Sequence, residues 1–291
     1  MYTPLISIII VNYNTSKDIF PLMESLNRCG YSHFEIIIVD NDSPDDDLSQ
    51  VADLYPHINF IMSAKNLGFA GANNLGARKA KGDFLLFLNP DIEVTPGFID
   101  PMLFAFKVNP QLGLVSPKIK YFNNPSIIQY AGFSKLNLYT MQSSSYGKGK
   151  EDGPLYSVTK ETSYGHWAAM MISRAAFEAV GEMNESYFLY YEEIDWCQRI
   201  RQKGYQIYYV AASEVYHKES TSVKKQSPLK VYYLSRNRFM FAKIHCQNWQ
   251  LFIYFFYNLL ILIPKGIVKY ISKPVLLKAY LSGLASNLYT E

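Results

Sequence analysis

The sequence has few of the features that would mark a secreted, disulfide-stapled or zinc-bound protein. Its only cysteines are Cys29, Cys197 and Cys246, too isolated for a zinc site and odd in number. They predict a reducing, cytosolic setting. No basic stretch precedes the first apolar run, Leu5–Val11, which therefore reads as a strand and not as a signal peptide. The later apolar run 251–263 (LFIYFFYNLLILI) is followed by Pro264 and falls short of the roughly 20 residues that span a bilayer. A net charge of +3 is too small to draw nucleic acid by itself. No G-x-G-x-x-G fingerprint and no internal repeat is present.

Aromatic residues are abundant instead. The chain has 24 Tyr and 18 Phe among 291 residues, and 49% of it is hydrophobic, enough for a sizeable core. Rings with one polar tip suit sugar stacking or a membrane interface as well as core packing. They crowd the last quarter of the chain.

The first half alternates in kind. Strands are predicted at 5–11, 34–40, 58–62 and 82–88, with helices at 17–29, near 45–55 and over 70–81. Continuous apolar strands separated by helices predict an α/β fold with a mostly parallel sheet covered on both faces. Ligands of such sheets bind outside the carboxyl ends of the strands. Polar clusters fall there: NYNTS, DNDSPDDD, KNLGFAGANN and NPD. The middle, about 113–165, predicts a strand at GLVSPKIKYF and a polar loop at 141–154, either a mobile cover or an inert surface loop. From 166 the pattern gives a strand and helix, an aromatic strand (SYFLYY), a helix stopped by Gly204, and a strand ending at His217. Residues 228–291 read as helical, with Lys265, Lys269, Lys273 and Lys278 after the apolar run. That run predicts an interfacial helix near anionic lipid, a buried helix, or an oligomer contact.

Four constellations carry chemistry. Asp40 ends a buried strand, where a carboxylate can accept the imide N–H of a uracil or thymine ring; Asp45, Asp46 and Asp47 read as a solvated acidic turn, with helix capping by Asp42 or Ser43. Asn66, Gly68 and Asn74 lie where backbone and amides could approach a nucleotide, or where small residues let a helix pack closely on the sheet. Asp91 follows a strand, and His217 ends another; oxygen plus imidazole ligands suit Mn²⁺ or Mg²⁺ held mainly by phosphates. Glu192, Glu193 and Asp195 open a helix, which favours acids there in any case. Crowding also raises a carboxyl pKa towards that of a general base.

As a set, ISIIIVNYN (6–14), VDNDS (39–43), NLGFAGANNLGARKAKGDFLLFLNPD (66–91), FLYYEEIDWCQRIRQKGY (188–205) and His217 resemble glycosyltransferase family 2. The resemblance covers about residues 4–245 and is strongest to bacterial rhamnosyltransferase-type members of polysaccharide and O-antigen assembly. It implies a GT-A fold over 1–227, with a nucleotide-binding half to about 117 and an acceptor-binding half from 118. A helical segment, 228–291, follows. It further implies inverting transfer of a sugar, with rhamnose from dTDP-rhamnose the leading choice, from a dTDP- or UDP-sugar to a lipid-linked or oligosaccharide acceptor. The setting would be the cytoplasmic face of the inner membrane, with a homo-oligomer a further candidate. Glu193 takes the place of the family's base, with Glu192 as a substitute. Asp91 and His217 would hold Mn²⁺ or Mg²⁺, Asp40 would read the base and Tyr13 would stack on it. Asn89 replaces the first acid of the family's Asp-x-Asp motif and brings no charge. Glu185, His166 and Trp167 fall on the acceptor side, Trp167 with packing as an equal alternative. Two other classes compete: a sugar nucleotidyltransferase, which lacks here its Gly-rich basic loop after the first strand, and a catalytically degenerate nucleotide-sugar-binding membrane scaffold.

Overall fold

A computed structural model describes residues 3–218 and 227–288. Strand β1 (Ile6–Asn12) is buried along its whole length. Its alternating side chains divide between two cores. Ile6, Ile8 and Ile10 meet Ile19, Leu22, Met23 and Leu26 of α1 (Ser16–Asn27) on one face. Ile9 and Val11 meet Ala70, Ala72 and Ala77 of α3 (Gly68–Ala77) on the other, after β2 (Phe34–Asp40), α2 (Ser49–Leu54) and β3 (Asn59–Met62). The continuous apolar run is thus the signature of a strand covered twice.

The chain continues through β4 (Phe84–Leu88), β5 (Ile92–Val94), α4 (Ile99–Val108), β6 (Leu112–Tyr121), β7 (Asn124–Tyr130), β8 (Lys160–Glu161), β9 (Ala169–Ser173), α5 (Arg174–Val180), α6 (Glu192–Gln202) and β10 (Gln206–His217). The sheet order is β3-β2-β1-β4-β9-β6-β10-β5, with β7 beside β6 and β8 beside β10. β1 to β4 run parallel, so the ends of β1, β2 and β4 share one edge. β9 enters antiparallel between β4 and β6. The α/β mixed sheet with flanking helices is the one predicted.

Three local expectations change. The segment 186–191 is not a strand: a short turn of helix (Glu185–Tyr187) gives way to Phe188, Tyr190 and Tyr191, all at positive φ. The loop 141–154 is tied down rather than loose. Asp152 bridges Lys118 (3.0 Å) and Lys120 (2.8 Å), both of which also contact Glu214.

The third change concerns the tail: α7 (Pro228–His245), α8 (Asn248–Tyr257), α9 (Ile263–Tyr270) and α10 (Pro274–Ala285). α7 packs on the preceding part of the chain, Phe241 and Ala242 clustering with Tyr187 and Tyr191; residues 219–226, beside the expected boundary, lie outside the described residues. Pro264 does not end the apolar helix. A wide turn, Asn258–Leu262, precedes it and joins α8 to α9. Such a turn absorbs the missing N–H and the bulk of the ring. The continuous helix, Asn248–Tyr270, has 23 residues and contains an 18-residue window of mean hydropathy 1.9, so by length and composition it could cross a membrane.

Candidate active site

Pairing geometry builds the first corner. β5 begins just after Asp91 and lies antiparallel to the end of β10, with Ile92 opposite His217. Asp91 Oδ1 and His217 Nε2 are therefore 3.2 Å apart, both side chains nearly buried. His217 Nδ1 stands 2.8 Å from the Gln129 Oε1 acceptor. In the neutral imidazole Nδ1 then carries the proton, and Nε2 turns its lone pair to the carboxylate. Two facing lone pairs repel unless a cation or proton is shared between them, so the donor set fits a divalent ion. Among the described residues no group of three or more His, Cys, Asp and Glu could complete its shell. Oxygens of a diphosphate and water would supply the rest, as Mg²⁺ and Mn²⁺ accept.

His166 packs beside this pair. Its ring is 6.1 Å from that of His217 and stacks parallel to Phe133. Burial first, then His217 and Lys148, push its pKa down to about 3. Its Nδ1 accepts from the Ala168 N–H.

The second corner gathers at the ends of β1 and β2, where Asn12 lies opposite Asp40. Asp40 accepts from Asn12 Nδ2 (2.8 Å), the Ser43 hydroxyl (2.7 Å) and the Ser43 N–H (3.1 Å). Tyr13, the next residue, is exposed. Asp46 is not a loose surface acid: it accepts from the backbone N–H and hydroxyl of Ser16 at the start of α1. Burial opposes its charge, but these bonds hold its carboxyl below the usual range.

Three residues expected to approach a nucleotide carry structural contacts. The Asn66 amide oxygen accepts from Asn41 and from the Gly68 N–H. Asn74 is fully buried, and its amide brackets Met183, donating to its carbonyl (2.9 Å) and accepting from its N–H (3.0 Å), with a further bond to Glu185. Gly68, at φ +72°, lies against the backbone of Phe188, where a Cβ would collide. Gly68→Ala is therefore expected to cost about 2–4 kcal/mol, from backbone strain plus overpacking, read by urea unfolding. Glu185, contacted by Asn74 and Arg78, is fixed on α3 but half-exposed.

The third corner opens α6. Asp195, buried, accepts from Arg199 Nε (2.9 Å) and stands 2.7 Å from His245 Nε2 of α7. Burial pushes its carboxyl up, but His245 and Arg199 outweigh it and hold the pKa below the ordinary value. Asp195 thus anchors the helix, while Glu192 and Glu193 are left with one buried, unpartnered oxygen each. Burial and the adjacent Glu193 charge raise Glu192 well above its ordinary value. Burial raises Glu193 too, against backbone N–H groups and the nearby Trp167 indole, which favour its charge. The indole N–H comes near Glu193 but completes no hydrogen bond and is buried without a partner. Only Glu193 of the pair lines an open pocket of about 370 Å³, with Leu136, Met141, Gln142, Tyr190 and Leu234.

One segment links the first and third corners. The Asn89 N–H donates to Ala168, so the His166–Trp167–Ala168 segment runs from the strand end before Asp91 to Glu193.

The sequence profile of glycosyl transferase family 2 matches residues 7–181. The chain belongs to that family. This glycosyltransferase is 30% identical over 247 residues to the low-salt glycan biosynthesis hexosyltransferase Agl10 of Haloferax volcanii, covering 81% of this chain and 74% of the relative. It is 23% identical to an N-acetylglucosaminyl-diphospho-decaprenol L-rhamnosyltransferase of Mycobacterium tuberculosis, covering 76% and 78%. The crystal structure of GalNAc-T7 with UDP, GalNAc and Mn²⁺ superposes with a TM-score of 0.65 at 18% identity, over 80% of this chain and 47% of that one. The likeness places the glycosyltransferase in the GT-A fold.

Sequence reasoning passed over Asn12, Gln129, Asn237 and His245 in this enzyme. Asn12 ends a buried strand in register with Asp40, a signal open to reading. Asn237 and His245 sit on a helix distant in sequence from the turn and the acid that they hold.

Proposed function

We propose that this enzyme transfers a sugar with inversion from a dTDP- or UDP-activated donor, rhamnose being the first choice, to a hydroxyl of a lipid-linked glycan. The setting is the cytoplasmic face of the membrane. The observation that carries this reading is Glu193: a buried carboxyl with an unpartnered oxygen that opens into a pocket and is linked through Trp167 and His166 to the Asp91–His217 corner. Glu193 takes the acceptor's proton as its oxygen attacks the anomeric carbon. The pocket is wide enough for a sugar ring and mostly apolar around Leu136, Met141 and Leu234. Asp40 and Tyr13 take the base at the strand edge, and Asn89 the neighbouring ribose. Asp91 and His217 would hold Mn²⁺ or Mg²⁺, which supplies positive charge against the departing diphosphate. The rhamnosyltransferase among the relatives favours this donor, and the decaprenol in its name favours the acceptor class.

The test is nucleotide release from dTDP-rhamnose and UDP-sugars with a synthetic lipid-linked acceptor and either ion. No turnover with any pair, by folded enzyme, would refute the reading. Asp91→Ala is expected to abolish the metal-dependent part of the thermal shift given by the donor. An unchanged metal dependence removes Asp91 from the site.

A further inference from the structure

We infer that the helix Asn248–Tyr270 lies in the plane of an anionic bilayer surface, carrying one wall of the acceptor pocket with it. Length and composition alone would also allow this helix to span. The contacts along it do not. Tyr254 and Asn258 are buried against the domain, the Tyr280 hydroxyl donates to the Leu262 carbonyl (3.0 Å), and the Tyr280 ring packs on Gly266. One side is thus held by protein at every turn from 254 to 266. A spanning helix would leave the domain and surround these positions with lipid over about 30 Å.

The opposite side is apolar and exposed: Phe252, Phe255, Phe256, Leu260, Val268 and Ile271. Lys265, Lys269, Lys273 and Lys278 are exposed at its end. The charge is one-sided, because from Ser220 to Thr290 the sequence contains no Asp or Glu, while Lys and Arg recur. A second copy docked on this face would set cation against cation; anionic headgroups complement it. An apolar face with a cationic border is what an interfacial helix needs.

The pocket follows the helix. Tyr139 packs on Trp249 with ring centroids 5.6 Å apart, Cys246 Sγ contacts the Leu138 carbonyl, and Gln142 reaches the Tyr257 hydroxyl (3.4 Å). Leu136, Met141 and Gln142, from the same arm, line the pocket at Glu193. Seating the helix therefore brings the pocket to the lipid surface, where a lipid-carried acceptor would present its sugar; this last step rests on the transferase reading.

Vesicle binding needs neither donor nor acceptor, so its outcome is separate from that reading. The full chain is expected to sediment with phosphatidylcholine–phosphatidylglycerol vesicles, more weakly with phosphatidylcholine alone, and less as salt rises. Lys265→Gln/Lys269→Gln/Lys273→Gln should bind the anionic vesicles roughly a hundredfold more weakly. Phe252→Ser/Phe256→Ser should weaken binding to both. In a Trp249→Phe background, Leu260→Trp should be quenched best by lipids brominated near the headgroup. Quenching best by deep bromines would show a spanning helix and overturn the inference. So would binding indifferent to lipid charge and salt, or a discrete dimer in solution that ignores vesicles. Far-ultraviolet circular dichroism checks that each variant is folded, and the salt series on the unaltered chain stands without them.

Discussion

Glu193→Gln is expected to lower sugar transfer by about a thousandfold, within the range general bases contribute, and to leave donor affinity unchanged. Gln keeps the shape of the side chain and removes only its ability to take a proton. The neighbouring Glu192→Gln is expected to retain most of the turnover. Both carboxyls are raised by burial, Glu192 the more strongly. Two adjacent buried carboxyls do not readily ionise together; Glu193, which alone of the two lines the pocket, is assigned the charge, and Gln at 192 imitates a neutral partner. The pH profile carries the same assignment. A base with a raised pKa is active above it, so kcat should fall as pH drops through a value above the ordinary carboxylate range. That acid limb should disappear in Glu193→Gln and persist in Glu192→Gln. If instead Glu192→Gln removes transfer and Glu193→Gln does not, the roles of the two are exchanged. The two variants also differ in stability. A carboxyl whose folded pKa is raised loses folding free energy as pH rises from its unfolded value towards the folded one. Glu192→Gln is therefore expected to stabilise the enzyme at neutral pH, most visibly above the pKa that Glu192 has when unfolded.

Much of the frame was readable because each strand of the nucleotide half is covered on both faces. Such strands must be continuously apolar, and the polar residue that ends each must lie on the shared edge. Asp40 and Asp91 were placed at that edge in this way, and they lie there. For Asn74 and Gly68 the same logic leaves two roles open, because a small or amide residue at a helix start serves packing and ligand contact equally well. The contacts show the packing role: Met183 and Glu185 meet Asn74, and Phe188 lies against Gly68. The aromatic stretch 186–191 misled because its rings suit a strand, whereas its backbone is bent by positive φ at three of them. What imposes that bend lies far along the chain, on α7. The continuation of the apolar helix past Pro264 was hidden for a related reason: proline forbids an ordinary turn, but not a wider one.

Asn237→Ala should show how far the base depends on that distant helix. Tyr190 and Tyr191 have φ of 68° and 76°. Side chains other than glycine's oppose such values by about 1–2 kcal/mol per residue, so the turn stands only where its surroundings over-determine it. Asn237, fully buried, does this: its amide nitrogen lies 2.8–2.9 Å from the carbonyls of Tyr187, Leu189 and Tyr190. Removing it strands acceptors in the interior, at an expected cost of about 3 kcal/mol in urea unfolding. The loss of turnover should exceed what that cost explains, measured at a temperature where the variant remains folded. Relaxing the turn shifts Glu192 and Glu193, the next residues, and a displacement near 1 Å can cost about a hundredfold. Asn237→Asp separates this from simple packing. It keeps the volume but turns a carboxylate towards three carbonyl oxygens, so it should be at least as damaging as alanine. A mild Asn237→Asp beside a severe Asn237→Ala would mean that the side chain fills space there, and that something else holds the turn on which the base stands.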